Sequence, residues 1–503
     1  MVRLMEFDAP TEERVRFVED TPRDSIIDKT IDRLEGGEDP KLLVTAAALA
    51  VSRSCELPAD HHGGPVHPVA GIHAITGMLE RLSGEHSLLP VLQCVALANK
   101  HIHLPSMGQT VMVQFEKLNR NADKKTVLSR LEQAMGDHEG RLAERWLTLA
   151  CEKATPGEIL NALMSVAIRR NSLDDHYFLY AVYACRALDA IGWQHGPVLL
   201  RPAVRFLARH HSFEPYGEFD EQFVADGIDY FRRFTELEAL AETYGLDEER
   251  VRLRAETNES DAVEALATKI GEVKVIATLP ETIAAAMGAG LSLYGTIEAI
   301  SIGGARVFLR SHTNNPFDVH IHTGTAARRY LLGFDEISMK HKVMSLLGWA
   351  WGYEVRYLDH TLQWDWCSDE EALSQLGPNE LLKEIERLVL GIDGYDVTNL
   401  SVSINNLVAP DEVRQAVRLA ESYVKAGYDV NELFTLSASL VCREDASEMH
   451  GYKLQQASFE EYAVCNPSLR WVHAVAAVKQ AAVNAPTKPH RFYPQIVARL
   501  AAA

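Results

Sequence analysis

The stretch Val319-His-Ile-His-Thr-Gly-Thr-Ala-Ala-Arg-Arg329 places histidine directly before a run of small residues that predicts a helix. Three further stretches repeat this pattern of a histidine followed by an apolar helical run. They are Ile72–Arg81, Asp175–Arg186 and Val472–Lys479, with histidine at positions 73, 176 and 473. Helical bundles build internal metal sites from side chains on facing helices. The repeated pattern therefore predicts one site shared by four helices.

The composition predicts a large globular protein in a reducing compartment. The 503 residues carry 50 basic and 70 acidic side chains, a net charge of -20. Nucleic acid and anionic membranes are not expected partners, since both bind basic surfaces. The seven cysteines form no CxxC pair, which argues against a disulfide framework or a cysteine-type zinc site. The start of the chain does not resemble a signal peptide, and no apolar run reaches about 18 residues, so we expect a cytoplasmic protein.

The spacing of apolar residues favours an all-α fold. Helix-length apolar runs bounded by glycine or proline recur along the chain, including Thr126–Ala154, Val319–Leu332, Phe459–Cys465 and Pro467–Val483. The strand pattern is nearly absent and reduces to a weak alternation over Thr398–Ile404. The expected architecture is a multi-helix, two-lobed bundle with a metal site between helices.

The charged segment 256–261 is the predicted boundary between the lobes. It divides the chain into an N-terminal helical lobe, residues 1–255, and a C-terminal helical lobe, residues 256–503, within one continuous globular unit. Each lobe supplies two of the four histidine helices. The predicted site therefore draws on both lobes.

The repeated histidines are the candidate metal ligands, since neutral imidazole is a common ligand of zinc, iron and copper. The candidates are His73, His176, His322 and His473. His320 and His322 point about 200° apart on a helix, so only one can face a given site. We prefer His322 because it directly precedes the small residues, and His73 over its competitor His67 because it matches the repeat.

The alternative interpretation is that these histidines are hydrogen-bonded core residues. Further histidines at positions 61, 62, 101 and 103 are expected at the surface or around the site. The four histidine helices contain no Glu-x-x-His pair, which argues against a ferritin-like di-iron centre. The chain also contains no GxGxxG, P-loop, HExxH or GxSxG motif, so no nucleotide or flavin cofactor is expected.

Lys342 is the second chemical feature of the sequence. It lies in the predicted helix Ser338–Gly352 and shares a helix face with Leu346 and Trp349, at i+4 and i+7. Its amine either extends to solvent or is buried and partly neutral, because desolvation lowers the pKa of lysine. A neutral amine reacts with carbon dioxide to form a carbamate, which is an oxygen ligand for a metal.

Five short pieces, in this order, resemble the questin oxidase-like family, which includes fungal oxygenases that open anthraquinone rings. The pieces are His67–His73, His176–Ala181, Val319–Thr323, Lys342–Trp349 and Val472–Lys479. The resemblance implies an all-helical fold around a mononuclear non-haem iron, Fe(II), held by histidines and a carboxylated lysine. Carried over by motif, the ligands would be His73, His176, His322 and His473, with Lys342 as the carboxylated residue.

The resemblance and the residues together predict a non-haem iron-dependent oxygenase. Its substrates would be dioxygen and an aromatic or quinone-like small molecule, converted by oxidative ring cleavage or Baeyer–Villiger-type oxygen insertion. Tyr177, Tyr180 and Trp349 would line a pocket for a flat substrate. The alternative is a helical binding or scaffold protein with structural or zinc-binding histidines and no redox chemistry. The sequence leaves open whether the chain forms a homo-oligomer.

Overall fold

The computed structural model describes most of the chain. The described residues are 3–56, 66–82, 87–105, 111–115, 118, 121–171, 175–209, 233–312, 319–349, 376–392, 395–396, 408–443, 449–484, 487–488, 496 and 498–499. The weak alternation at Thr398–Ile404 and the histidines at positions 61 and 62 lie outside these residues.

The predicted all-α fold is confirmed, since the described residues form 21 α-helices. In chain order these are α1 (Ala9–Asp20), α2 (Ile26–Glu35), α3 (Pro40–Ser54), α4 (Val66–Arg81), α5 (Leu89–Ile102), α6 (Lys124–Gly136), α7 (Gly140–Lys153), α8 (Pro156–Arg170), α9 (His176–Ile191), α10 (Gly196–Leu207), α11 (Arg233–Thr243), α12 (Ser260–Gly271), α13 (Leu279–Gly288), α14 (Leu293–Arg310), α15 (His320–Leu332), α16 (Met339–Leu347), α17 (Pro378–Gly391), α18 (Asp411–Lys425), α19 (Val430–Val441), α20 (His450–Val464) and α21 (Trp471–Asn484). Within the described part of the chain, none of these helices is long and apolar enough to cross a lipid bilayer.

Two pairs of very short strands accompany the helices. The strand β1 (Arg3–Leu4) runs antiparallel to β2 (Val113–Gln114). The strand β3 (Tyr395–Asp396) runs parallel to β4 (Thr487–Lys488). Each pair joins segments that are far apart in sequence, but neither forms a layer of the core.

Four helices meet at the centre of the molecule: α4, α9, α15 and α20. The helices α9 and α15 pack against each other, α20 contacts both α4 and α15, and α4 contacts α9. Residues 176–188 of α9, 320–328 of α15 and 450–458 of α20 are all buried. A helix that is buried on every side lies inside a large core rather than on its surface. Because α4 and α9 precede residue 256 and the other two follow it, helices of both predicted lobes share this core.

The helix α20 begins earlier than the sequence predicts. The expected helix was Phe459–Cys465, whereas α20 spans His450–Val464. Polar side chains obscure its first half in the sequence, but the structure satisfies them within the core. The side-chain amide of Gln455 donates to the Ala477 carbonyl at 2.7 Å and accepts from the Ser437 hydroxyl at 3.1 Å. Buried polar groups of this kind cost little when they are hydrogen-bonded.

The prediction of a single helix over Thr126–Ala154 is also wrong. The structure has two helices there, α6 and α7, separated by a turn in which His138 adopts a φ of 62°. A residue in the left-handed region ends a right-handed helix.

Candidate metal centre

Four histidines lie at the first turn of the four central helices. His67 is the second residue of α4, while His176, His320 and His450 are the first residues of α9, α15 and α20. The positive end of the helix dipole disfavours a protonated imidazole at these positions. Each histidine is therefore placed where the neutral, metal-binding form is favoured.

The four imidazole rings pack against one another. One nitrogen from each of His67, His176 and His450 lies within 4.8 Å of the others. The ring centroid of His67 is 5.1 Å from that of His176 and 4.8 Å from that of His450. The ring of His320 lies 4.9 Å from His176 and 5.7 Å from His450. We refer to His67, His176, His320 and His450 as the histidine cluster.

The histidine cluster is buried, with each residue at most 6% exposed. Burial lowers the pKa of His67 well below its ordinary value. Positive charge on Lys453, and on the three other histidines when protonated, lowers that pKa further. Protonation is thus unfavourable here, because each charge would be desolvated and would repel its neighbours.

Lys453 lies beside the histidine cluster. It follows His450 by three residues on α20, so the two side chains share a helix face. It is buried, and its charge acts on His67. The charge of this lysine therefore adds to the cost of protonating His67.

An aromatic wall borders the cluster on the side of α9. The ring of Tyr180 stacks on His176 at 4.7 Å, with an angle of 10° between the ring planes, and lies 5.5 Å from His67. On its other side Tyr180 contacts Phe206 at 4.9 Å, and Tyr177 contacts Phe206 at 4.5 Å. Two of the predicted pocket residues, Tyr177 and Tyr180, are thus part of this wall.

A buried ion pair fixes the start of α9. Asp175, immediately before His176, has a φ of 62°. Its carboxylate accepts two hydrogen bonds from Arg328 of α15, at 2.6 and 2.9 Å. Arg328 also donates to the carbonyls of Ser345 and Gly324 at 2.6 and 2.9 Å. The pair therefore connects the start of α9, which presents His176, to the second half of α15.

The start of α20 is fixed by close packing. Met449, immediately before His450, has a φ of 63°. Its side chain lies against Gly71 of α4, where a Cβ atom would come within 2.2 Å of the methionine sulfur. Glycine at position 71 is thus what allows α4 and the start of α20 to approach each other.

The structure does not bring all of the predicted ligands together. His73 is the first of them that lies outside the histidine cluster. The Nε2 atom of His73 is 2.5 Å from the Glu460 carboxylate, and Arg186 contacts both residues. His67 and His73 are six residues apart and so point about 240° apart on a helix. His67 rather than His73 therefore faces His176, which corrects the preference drawn from the repeat.

His322 and His473 form a separate buried pair. Their ring centroids are 6.4 Å apart, and His322 also packs against Phe308 at 5.2 Å. Burial lowers the pKa of His322 to about 3 and that of His473 to about 4. Because His320 faces His176, His322 points to the other side of α15. The choice of His322 over His320 as the partner of His176 is corrected by this geometry.

Lys342 and Trp349 also lie away from the histidine cluster. Burial lowers the pKa of Lys342, and the charges that act on its amine are those of Asp335 and Glu336. The Trp349 indole donates to the Ile321 carbonyl at 3.2 Å and packs against Gly304. Trp349 is thus a core residue between α14 and α15, and the lysine beside His67 is Lys453.

His450 and Lys453 are not among the site residues predicted from the sequence. The signal was present, because His450 precedes a helix in the same way as the other three histidines. It was hidden because Lys453, Gln455 and Gln456 interrupt the apolar pattern of that helix. The repeated pattern points to His473 as the fourth histidine, whereas the structure places His450 beside His67.

The donor set fits a transition-metal ion. A metal bound about 2.1 Å from each imidazole nitrogen holds two such nitrogens up to about 4.2 Å apart, and the observed limit is 4.8 Å. Small ring movements would close this difference. Imidazole donors suit iron, zinc and copper, whereas calcium and magnesium prefer oxygen. The residues present therefore fit the kind of metal that the resemblance implies.

The chain was compared with family models, curated proteins and solved structures. No match was found in any of the three comparisons.

Proposed function

We propose that this protein is a non-haem iron-dependent oxygenase that acts on an aromatic or quinone-like small molecule. The observation that supports the proposal most directly is the convergence of four helix starts on His67, His176, His320 and His450. Bound ferrous iron would supply dioxygen activation for ring cleavage or for Baeyer–Villiger-type oxygen insertion. The resemblance to the questin oxidase-like family supports iron as the metal, now with a revised set of ligands.

The chain's own residues would provide the surroundings that this chemistry requires. Four neutral imidazoles bind a metal without adding negative charge, and the packed core around them excludes water. The face of Tyr180 covers His176, and Tyr177 and Phe206 extend that aromatic surface away from the cluster. Flat aromatic substrates bind well to such surfaces.

In this proposal Lys453, rather than Lys342, is the carboxylated lysine. The neutral Nζ of Lys453 would attack carbon dioxide, a new N–C bond would form, and one N–H proton would pass to solvent. The product is a carbamate anion in place of a buried cation. Its negative charge would balance the metal charge among neutral histidines and would also remove the repulsion that the ammonium group exerts on His67.

The alternative is a zinc-binding or structural role for the same histidines, because an all-imidazole donor set suits zinc as well as iron. A zinc site without redox chemistry would still bind metal through the histidine cluster. It would not consume dioxygen with any aromatic or quinone substrate.

Two histidines of α4 provide a matched test of the site. His67→Asn removes one of the three imidazoles whose nitrogens lie within 4.8 Å of one another, whereas His73→Asn removes a histidine six residues further along the same helix that contacts Glu460 instead. We expect metal content, measured by mass spectrometry after anaerobic iron loading, to fall at least about tenfold in His67→Asn only. Equal metal content in both variants would place the metal elsewhere. Dioxygen uptake with hydroxylated anthraquinones and naphthoquinones then separates the oxygenase from the zinc alternative.

The carboxylation is tested with a second matched pair of variants. Zinc-loaded protein in carbon-13 bicarbonate should show a carbamate carbon resonance. We expect this resonance to disappear in Lys453→Gln and to persist in Lys342→Gln. If the resonance disappears in Lys342→Gln instead, Lys342 is the carboxylated lysine, as the resemblance implies. If the unmodified protein shows no such resonance, the carbamate is not part of the site.

We also place the protein in a reducing compartment, the cytoplasm. The described cysteines are all free, and five of the six are buried. The support is indirect, since free thiols persist where disulfides are kept reduced. Fractionation of the producing cell with detection of the native chain tests this placement.

A further inference from the structure

A cavity borders the aromatic wall at Phe206. Its volume is about 470 Å³, within the range of small-molecule sites. Helices α7 and α10 and the segment 111–115 supply its lining. Phe206 belongs both to this lining and to the aromatic wall, so two ring contacts connect the cavity to His176.

The cavity carries an excess of positive charge. Arg141, Arg201, Arg205 and Arg209 line it, together with the carboxylates of Glu56 and Glu144. This positive excess occurs in a chain whose net charge is -20. A concentrated positive field in an otherwise acidic protein attracts anions to one place.

The arginines divide into an inner pair and an outer pair. Glu144 is buried and pairs with Arg201 at 2.5 Å and with Arg205 at 3.2 Å. Arg205 also pairs with Glu56 at 3.2 Å. Both glutamates thus act on the inner pair, Arg201 and Arg205, and the charge of Glu56 also acts on Arg209, which forms the outer pair with Arg141. Because four arginines face two glutamates, the lining keeps a positive excess.

Arginine and aromatic groups stand next to each other in the cavity. The guanidinium of Arg209 lies 5.8 Å from the Phe206 ring, and its charge acts on Tyr177 and Tyr180. The guanidinium of Arg201 lies 4.3 Å from the ring of Phe115. A ligand in this cavity would meet flat apolar faces and guanidinium groups together.

From this arrangement we propose that the cavity binds an aromatic carboxylate. Guanidinium groups bind carboxylates through two parallel hydrogen bonds, and the phenylalanine faces accommodate an aromatic ring. The bound ring would lie against Phe206, which contacts the Tyr180 ring that stacks on His176. The role as a substrate site rests on the proposed oxygenase function, whereas the binding itself does not.

The test compares two ligands that differ in charge alone: 2-naphthoate and its neutral amide, 2-naphthamide. Calorimetric titration of the full chain, iron-loaded and after chelation, should show naphthoate binding about tenfold or more tightly than the amide in both forms. Arg141→Gln and Arg209→Gln should each reduce naphthoate affinity about tenfold. Arg387→Gln, which removes an exposed arginine on α17, should leave it unchanged.

Three results would overturn the proposal. These are equal affinity for the acid and the amide, unchanged binding in the Arg141→Gln/Arg209→Gln double variant, and inorganic phosphate binding as tightly as naphthoate. The comparison of acid and amide uses the unmodified chain, so it stands even if a variant fails to fold. If naphthoate binds the chelated protein but iron never binds, the proposed oxygenase function fails while the carboxylate site remains.

Discussion

The buried histidines outside the cluster have a thermodynamic role of their own. His322 and His473 are neutral in the folded protein because burial lowers their pKa values to about 3 and about 4. In the unfolded chain both titrate near the ordinary histidine value of about 6.5. Between these pKa values the unfolded state binds more protons than the folded state, so acid favours unfolding.

We therefore expect the free energy of unfolding to fall as the pH drops from about 6.5 towards 4, and to be largely independent of these two residues above pH 7. Each histidine contributes a slope of about 1.4 kcal/mol per pH unit within that window. Urea titrations at half-unit pH steps measure the slope. His322→Gln should reduce this slope by about 1.4 kcal/mol per pH unit, the contribution of one histidine. An unchanged slope in this variant would contradict the burial of His322.

At the residue scale the sequence predicted histidines on several buried helices but not which of them face one another. His176 was predicted correctly as a member of a histidine group. The pairs His67 and His73, and His320 and His322, each lie on one helix, and the sequence does not reveal which face meets the partner helices. That orientation is decided by packing between residues that are more than a hundred positions apart, such as His176 and His320.

At the scale of elements, the ion pair between Asp175 and Arg328 joins the start of α9 to the second half of α15. Both side chains are almost fully buried. Removing one partner of a buried pair leaves an uncompensated charge, which destabilises a protein by about 3–5 kcal/mol. An exposed pair contributes at most about 1 kcal/mol. The pair of Lys340 and Glu238 is of this second kind.

We expect Asp175→Asn to reduce the free energy of unfolding by about 3 kcal/mol, because Arg328 remains charged and buried. Asparagine tolerates the left-handed backbone conformation, so the helix start is preserved. The matched change Glu238→Gln, in the exposed pair, should alter stability by less than about 1 kcal/mol. Chemical denaturation compares the two variants. Equal, small effects would show that the buried pair does not hold α9 to α15.

The sequence predicted most helices at this scale because their apolar spacing is regular. It located α15 over Val319–Leu332, and the structure begins it one residue later. It failed at α20, where satisfied hydrogen bonds replace apolar contacts as the means of burial. Such compensation depends on Ser437 and Ala477, which lie in neighbouring helices and carry no local signal.

At the scale of the whole molecule, the centre joins segments from nearly the full length of the chain. His67 and His176 come from one predicted lobe, and His320 and His450 from the other. The four imidazoles can come together only after all four helices have packed. A metal bound by them would therefore bind the folded chain far better than the unfolded chain, and such binding stabilises the folded state.

We expect iron or zinc to raise the melting temperature, with a stabilisation of about 4 kcal/mol when free metal exceeds the dissociation constant about 1,000-fold. Differential scanning calorimetry with and without chelator measures the shift. His67→Asn should abolish it and His73→Asn should retain it, because only His67 belongs to the three imidazoles whose nitrogens lie within 4.8 Å of one another. A melting temperature that is insensitive to metal in the unmodified protein would argue against the centre.

The contact between Met449 and Gly71 has a consequence for the durability of such a centre. Met449 is adjacent in sequence to His450, and its sulfur fills the space that a Cβ atom of Gly71 would occupy. Oxidation of a thioether to a sulfoxide adds an oxygen atom and makes the side chain polar. Because this sulfur lies against Gly71, oxidation would place the added polar group at the contact between α4 and the start of α20. Repair of this one methionine by a sulfoxide reductase would then restore the contact on which the start of α20 depends.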